Sequence, residues 1–220
     1  MPWTLLLDLD GTLVDTVPDI AAALNRLMAG MELSAFSQTE TAAMVGDGVA
    51  MLVRRALAAR GLAADDVAVP AAIAAFSADY GAHAAVDSRP YDGVPALLRD
   101  LSGAGWRLAV CTNKPEAAAR ALLDSLGLME LLCAVGGGDS FPVRKPDPAH
   151  VLATLALAGG TAGRAVMVGD HANDVAAAAG AGVASVFVTW GYGPEAMGAG
   201  AGAVARDLAE LAAVLSRLRA

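Results

Sequence analysis

The run LLLDLDGTLVDT, residues 5 to 16, contains two carboxylates, Asp8 and Asp10, in a segment otherwise typical of a buried strand. Burying an unpaired carboxylate is strongly unfavourable, so both acids need a partner that stabilises their charge. Residues two apart on an extended strand project to the same side, so both carboxylates can face one ligand. Gly11 lets the chain turn sharply after them. The spacing predicts a site where one acid attacks and the other transfers protons.

More polar residues follow the later apolar runs. Thr112 ends RLAVCT and is followed by Asn113, Asp170 ends AVMVGD with Asp174 four residues later, and Lys145 lies in the loop VRKPDPAH. In an open parallel sheet, ligands bind at the carboxyl ends of the strands, beside the point where strand order reverses. We therefore expect these residues to meet the two acids of the first run at one edge of the sheet.

Four acids in one small site require a cation. Magnesium, held by oxygen ligands, suits a few carboxylates and a substrate phosphate, so the acids predict Mg²⁺ as cofactor and a small phosphorylated metabolite as partner. Hydrolysis of a phosphate monoester needs acceleration of up to about 10²¹-fold. A carboxylate nucleophile divides it into two steps through an aspartyl-phosphate, and a second acid protonates the leaving alkoxide and then activates water. Lys145 and Thr112 would stabilise the transferring phosphoryl group.

The elements that position these residues follow from hydropathy. Five β-rich apolar runs predict strands, at residues 3–9, 107–112, 132–137, 165–170 and 185–189. Segments with helical periodicity lie at residues 93–104, 115–126, 147–158, 173–180 and 207–218. This alternation predicts an α/β fold with a Rossmann-like parallel sheet covered on both faces.

The first predicted strand is separated from the second by a long Ala-rich stretch with no convincing strand. It contains helical patterns such as PDIAAALNRLMAG, with Pro18 near the helix start, and VAMLVRRALAARG, which ends at Gly61. We therefore predict a discontinuous α/β core at residues 1–16 and 89–220, interrupted by a helical domain at residues 17–88.

Composition limits the partners. The 220 residues are 56% hydrophobic, and Asp and Glu outnumber Lys and Arg by 23 to 15, without a dense basic cluster. Neither nucleic acid nor an anionic membrane is an expected partner. Because no secretory signal or spanning apolar run occurs, we expect a cytoplasmic protein, either a monomer or a homodimer.

The cysteines and histidines give weaker signals. Cys111 and Cys133 lie in predicted strands without metal-ligand spacing, which predicts two reduced thiols in the core. His83 and His150 are expected to face solvent or to lie in loops. His171, beside the acid that ends AVMVGD, is a candidate for lining the site.

Each motif alone also has a purely structural interpretation. Thr112 or Asn113 could cap a helix that has Pro115 in its first turn. The segment KPDP is commonly a surface turn, and Asp170 and Asp174 could interact with a helix dipole. The common order of these motifs along the chain favours a functional site.

Taken together, the motifs resemble those of the haloacid dehalogenase superfamily of phosphohydrolases. DLDGTLVDT is similar to its first motif, VCTNKP to its second, RKPDP to its third and VGDHANDV to its fourth. The resemblance implies that Asp8 is the nucleophile and Asp10 the acid/base. It also implies that Thr112, Asn113 and Lys145 bind the phosphate, with Lys145 neutralising charge.

The resemblance also implies a set of metal ligands. Magnesium would be bound by the Asp8 carboxylate, the Asp10 backbone carbonyl and Asp170. Asp174 would support the site through Lys145 or metal-bound water. Dehalogenases of the superfamily lack the second acid, so Asp10 indicates phosphoryl transfer.

Within the superfamily, the inserted domain resembles the small helical cap that closes over the substrate, excludes water and selects it. MVGDGVAMLVRRAL, CTNKP, GGGDSFPVRKPDP and VTWGYGP are similar to segments of phosphoglycolate phosphatases, although His171 and Asp47 depart from their common Ser and Asn. This similarity implies hydrolysis of 2-phosphoglycolate to glycolate and phosphate. An arginine of the cap could pair with the substrate carboxylate, and Arg55 is the predicted residue.

Several alternatives stay open at this point. The same chemistry could serve pyrophosphate, a sugar phosphate or a nucleoside monophosphate, or a sugar-phosphate mutase. A signalling receiver module also gathers acids, a Thr and a Lys around magnesium. Three features count against a receiver: Asp10, the inserted domain, and a length above the ~100 to 150 residues of one typical domain. A scaffold that has lost activity is disfavoured by the intact set of acids.

Overall fold

The computed structural model describes residues 2–62 and 68–219. Residues 1, 63–67 and 220, which belong to the two predicted domains, lie outside the described residues. In chain order the strands are β1 Thr4–Leu7, β2 Val14–Asp15, β3 Arg89–Pro90, β4 Arg107–Cys111, β5 Ala134–Gly136, β6 Ala165–Gly169, β7 Ala184–Val188 and β8 Ala203–Ala205. Six of these form one parallel sheet in the order β5-β4-β1-β6-β7-β8. The predicted parallel α/β fold is confirmed.

The sheet also differs from the prediction. Strand β8, made of small residues, carries too weak a β signal to be expected from sequence, as do the two-residue strands β2 and β3, which pair antiparallel. Strand β5 is shorter than predicted and begins after Cys133, whose side chain is exposed. The expectation of a core thiol is therefore wrong for Cys133, while Cys111 is buried in β4 as predicted.

The helices occupy the predicted segments. They are α1 Val17–Gly30, α2 Gln38–Ala42, α3 Val49–Ala59, α4 Ala68–His83, α5 Val94–Gly103, α6 Glu116–Ser125, α7 Pro148–Leu157, α8 Ala172–Gly180 and α9 Leu208–Arg219. Helices α1–α4 lie between β2 and β3 and are here called the helical unit; the remaining elements form the sheet unit. None of the helices in the described part of the chain is long and apolar enough to cross a membrane.

Strand β1 lies in the middle of the sheet and is buried on both faces. Leu5 and Leu7 belong to the apolar cluster that includes side chains of α5, α6 and α9. Leu6 faces the opposite way, into a second cluster with side chains of α7 and α8. Because both faces are covered, the strand reads as a continuous apolar run, as expected for a parallel sheet.

His150 contradicts the expectation that it faces solvent. It lies in α7 on the side packed against the sheet and is fully buried. Its Nε2 is 3.0 Å from the Gly137 carbonyl oxygen, and its Nδ1 is 3.7 Å from the Cys111 sulfur. Burial lowers the pKa of His150, so a neutral ring fills this place in the core. His83, in contrast, is exposed on α4 as expected.

The helical unit has an apolar cluster of its own. Its buried side chains, among them Leu24, Met28, Leu57 and Phe76, all come from residues 17–84. From the sheet unit, Tyr192 packs against this cluster. Strands β2 and β3 pair where the chain leaves and re-enters the sheet unit, so the two crossings lie side by side.

Candidate active site

Lys145 lies at the centre of the polar residues that follow the sheet strands. Its side chain is fully buried, and its Nζ donates hydrogen bonds of 2.6 Å to Asp174 and to the Cys111 carbonyl oxygen. Asp8, which follows β1, lies 3.0 Å from the same nitrogen. Burial alone would lower the pKa of Lys145, but Asp174 and Asp8 outweigh it and raise that pKa. Lys145 is therefore a permanent cation with an oxygen neighbour for each of its three protons.

Three buried acids surround this cation. Carboxylate oxygens of Asp8, Asp170 and Asp174 all lie within 4.8 Å of one another. Burial, reinforced by Asp8, raises the pKa of Asp170 to about 6. Burial also raises the pKa of Asp174, although the Lys145 ammonium opposes that shift. One lysine does not neutralise three carboxylates, and this oxygen-only donor set fits a hard divalent cation such as Mg²⁺.

Asp170 is held in place by several donors. The Thr12 hydroxyl donates to one carboxylate oxygen at 2.9 Å, and the Tyr192 N–H donates to the other at 2.8 Å. Gly11 has a φ of +83°, and a Cβ at this position would lie only 2.4 Å from the Asp170 carboxylate. Glycine is therefore required here both for the turn and for the approach of Asp170. Sequence reasoning did not identify Thr12 or Tyr192.

Asp10 has a different partner from Asp8. The Nζ of Lys114 donates to its two carboxylate oxygens at 2.9 and 3.3 Å. The same nitrogen donates to the Tyr80 hydroxyl of α4 at 2.6 Å and lies 4.4 Å from the centre of that ring. Burial opposes the charge of Lys114, but Asp10 and Tyr80 raise its pKa above the usual value. Neither Lys114 nor Tyr80 was singled out from sequence, although Lys114 lies within the VCTNKP motif.

Thr112 and Asn113 lie at the carboxyl end of β4. The Thr112 oxygen accepts a 3.3 Å hydrogen bond from the Lys114 N–H. The Asn113 amide nitrogen donates 3.0 Å hydrogen bonds to the carbonyl oxygens of Gly46 and Lys145. Helix α6 begins at Glu116 without a side-chain cap, so neither residue has the capping role considered as an alternative.

A cavity of about 40 Å³ lies between the two units. Its lining from the sheet unit consists of Asp8, Asp10, Thr112, Asn113 and Lys114. The helical unit contributes Ile20, Val45, Gly46, Gly48, Val49, Leu52, Phe76 and Tyr80. Polar groups therefore form its floor, and largely apolar side chains form its roof.

The loop before α3 makes further polar contacts between the roof and the sheet unit. The Gly46 carbonyl oxygen accepts hydrogen bonds from Asn113, at 3.0 Å, and from Asn173, at 2.8 Å. His171, the first residue of the α8 capping box, packs against Gly46, where an added Cβ would lie 2.6 Å from the ring. His171 thus lies beside this loop, and burial lowers its pKa. Among the described residues, His171 is not part of the cavity lining.

Arg55 lies on α3 and is engaged within the helical unit. Its guanidinium forms an ion pair with Asp47 and donates a 3.0 Å hydrogen bond to the Met44 carbonyl oxygen. The side chain is 37% exposed and is absent from the lining of the cavity in the described part of the chain. A role of Arg55 toward substrate stays a prediction.

The architecture and the motifs agree with the comparison to known proteins. A family model described as a haloacid dehalogenase-like hydrolase matches residues 4–182. The chain belongs to the haloacid dehalogenase-like hydrolase family. Within this family, a phosphoglycolate phosphatase of Rhodospirillum rubrum is 45% identical over 216 residues, covering 96% of this chain and 90% of the relative. One of Caulobacter vibrioides is 44% identical over 192 residues, covering 87% and 81%.

A solved structure of the same family extends the similarity to three dimensions. The crystal structure of a predicted phosphoglycolate phosphatase from Haemophilus somnus superposes with a TM-score of 0.88 at 30% sequence identity, covering 96% of each chain. The likeness therefore extends over both the sheet unit and the helical unit.

Proposed function

We propose that this chain is a magnesium-dependent phosphatase that hydrolyses 2-phosphoglycolate to glycolate and phosphate through an aspartyl-phosphate on Asp8. The observation that carries the proposal is that Asp8 and Asp10 line one small cavity while each carboxylate is paired with its own buried lysine. The named relatives support the choice of substrate.

The two acids divide the reaction. The Asp8 carboxylate attacks phosphorus, and the bond from phosphorus to the ester oxygen breaks. Asp10 gives its proton to that oxygen, which leaves as the hydroxyl of glycolate. In the second step Asp10 accepts a proton from water, the water oxygen attacks the phosphorus of the aspartyl-phosphate, and Asp8 is released as a carboxylate.

Other residues stabilise charge during these steps. Lys145, 3.0 Å from Asp8, offsets the charge of the nucleophile and the phosphoryl group. The Thr112 hydroxyl and backbone N–H groups of the loop after β4 would bind phosphoryl oxygens. Mg²⁺ would be held by Asp8, the Asp10 carbonyl oxygen and Asp170, with Asp174 supporting the site through Lys145, and would supply further positive charge at the phosphoryl group.

The charge of the site supports a divalent cation. Asp8, Asp10, Asp170 and Asp174 are balanced by two ammonium groups, which leaves an excess of two negative charges when all are ionised. The buried position of most of these groups makes that excess unfavourable. One Mg²⁺ would neutralise it.

The helical unit would act as the cap that closes over this substrate. Its separate apolar cluster and its paired crossings at β2 and β3 support a division into a core, residues 1–16 and 89–220, and a cap, residues 17–88. The cavity of about 40 Å³ is lined by side chains of both units, so a substrate bound there would lie between the core and the cap. Closure would exclude bulk water from the aspartyl-phosphate.

Phosphate release from a panel of esters tests the proposal. The panel contains 2-phosphoglycolate, pyrophosphate, glucose 1-phosphate, glucose 6-phosphate and nucleoside monophosphates, each with Mg²⁺ and with a chelator. We expect multiple turnover with a preference for 2-phosphoglycolate, dependent on Mg²⁺ and abolished in Asp8→Asn while circular dichroism is unchanged. A preference for another ester would overturn only the proposed identity of the substrate. Activity near that of wild type in Asp8→Asn would overturn the proposed mechanism.

A further inference from the structure

The protein contains only two lysines, Lys114 and Lys145, and both lie at the candidate site. Lys145 has three oxygen neighbours for its three protons: Asp174, Asp8 and the Cys111 carbonyl oxygen. Lys114 has two acceptor groups, the Asp10 carboxylate and the Tyr80 hydroxyl. Its Nζ therefore also has three oxygen neighbours, because both Asp10 oxygens accept from it, at 2.9 and 3.3 Å. The 3.3 Å contact is the longest of the three and is the one that an anionic group of a substrate would replace.

Lys114 also faces the cavity. Among the described residues it is the one Lys or Arg in the lining, opposite apolar side chains such as Leu52 and Phe76. A second anionic group of a substrate enclosed here would lose its contact with bulk water and would need a cation as partner. Arg55, the predicted partner, is held by Asp47 and Met44 outside this lining.

The position of Lys114 relative to Asp10 matches the substrate chemistry. Asp10 must reach the ester oxygen in order to protonate it. In a 2-phosphorylated hydroxy acid, two bonds separate that oxygen from the carboxylate carbon. A cation 2.9 Å from the Asp10 carboxylate therefore lies beside the place where the substrate carboxylate must be.

We propose that the Lys114 ammonium binds the carboxylate of the substrate and so selects an ester with a negative charge next to its ester oxygen. This inference rests on the proposed phosphatase function and names the residue that sets its specificity. Tyr80 is a positioning residue: its hydroxyl, on α4, accepts from Lys114 and fixes the ammonium at the cavity. The carboxylate subsite is complete only when the helical unit lies on the sheet unit.

The test compares two esters that differ in one group. The probes are 2-phosphoglycolate and 2-hydroxyethyl phosphate, in which a neutral CH₂OH group replaces the carboxylate. Selectivity is the ratio of their kcat/KM values, measured for wild type, Lys114→Met, Lys114→Arg, Tyr80→Phe and Arg55→Met. We expect Lys114→Met to lower the selectivity about 100-fold, as for loss of a charged hydrogen bond. Lys114→Arg should restore part of it.

Tyr80→Phe keeps the aromatic ring and the charge of Lys114 and removes only the acceptor oxygen. We expect selectivity to fall about fivefold, chiefly through KM, whereas a merely structural role of Tyr80 would lower both kcat/KM values equally. Circular dichroism checks that each variant is folded. If Lys114→Met does not fold, the selectivity of Tyr80→Phe decides.

Three outcomes overturn the inference. An equal loss with both esters in Lys114→Met and Tyr80→Phe would mean that Lys114 acts only on Asp10. Loss of selectivity in Arg55→Met with retention in Lys114→Met would make Arg55 the carboxylate ligand. A wild type without preference for 2-phosphoglycolate would overturn the proposed substrate, and the inference with it, whereas either of the first two outcomes overturns the inference alone.

Discussion

Both buried lysines form ion pairs with aspartates, but the partners of one lie in a single unit and the partners of the other lie in both units. Lys145 contacts Asp8, Asp174 and the end of β4, all within the sheet unit. Lys114 connects Asp10 of the sheet unit with Tyr80 of the helical unit. The first arrangement is complete without the roof, and the second requires it. The charge cluster around Asp8 is therefore held by the sheet unit alone, whereas the pairing of Asp10 with Lys114 depends on contact between the units.

The largest expected effect comes from Lys145→Met. It leaves Asp8 and Asp174 buried without their cation, which should lower the free energy of unfolding by about 3–5 kcal/mol. Phosphate release should fall about 10³-fold, by the same factor for charged and neutral esters. Urea denaturation and the two-ester assay measure these changes. Arg120→Met, which breaks an exposed pair with Glu116, is the control and should cost below about 1 kcal/mol.

Gly11→Ala tests the rigid floor without changing any charge. The φ of +83° and a Cβ contact of 2.4 Å with Asp170 predict a loss of about 3 kcal/mol in unfolding free energy. Phosphate release should fall as well, because the added Cβ would force the Asp170 carboxylate to move. Gly30→Ala is a matched control: no atom lies within 4 Å of its added Cβ, and helix propensity predicts a gain of up to about 1 kcal/mol. Equal stabilities of the two variants would contradict the prediction.

Acid should weaken the proposed binding of Mg²⁺ at the floor. The pKa of Asp170 is raised to about 6, so below that pH the carboxyl binds a proton and the proton competes with Mg²⁺. The association constant for Mg²⁺ should be steady from pH 7 to 8 and fall about tenfold per pH unit below 6. Isothermal titration calorimetry without substrate measures it. A constant affinity between pH 5 and 8 would remove Asp170 from the metal site.

The smallest expected effect concerns the roof loop. Asn173→Ala removes a 2.8 Å hydrogen bond to the Gly46 carbonyl oxygen and a 3.3 Å contact with Asp47. Because these contacts hold the roof loop against the sheet unit, KM should rise about fivefold, equivalent to about 1 kcal/mol, with a smaller change in kcat. Steady-state kinetics on the preferred ester provides the measurement. An unchanged KM would show that this loop contact does not contribute to closure.

Local patterns were sufficient for most of the fold. The run around Leu5, Leu6 and Leu7 indicates a strand buried on both faces, and the structure places it in the middle of the sheet. Strand β8 was not predicted because Ala203–Ala205 is only three residues long and has a single β-branched side chain, Val204, between two alanines. His150 was expected to face solvent or to lie in a loop, because its burial depends on the packing of α7 against the sheet, which its immediate neighbours do not specify.

In the candidate site, too, residues in local motifs were predicted, whereas contacts that depend on tertiary packing were not. Asp8, Asp10, Lys145 and Asp170 were recognisable because each lies in a motif with fixed spacing. The contact between Tyr80 and Lys114 joins residues 34 positions apart across two units. No periodicity links such residues, so only the packing of the helical unit on the sheet unit places them together.

Because the chain has only two lysines, chemical labelling of their side chains can report whether the helical unit covers the sheet unit. Amine-directed reagents can modify only Lys114 and Lys145 among its side chains, and both ammonium groups are buried, with side chains 3% and 0% exposed. Lys114 is covered from the roof side by Tyr80, whereas the hydrogen-bond partners of Lys145 all belong to the sheet unit. Lifting the roof would uncover one amine and leave the other shielded. If the roof lifts from the sheet unit, the ratio of labelling at the two lysines would report that movement without any engineered probe.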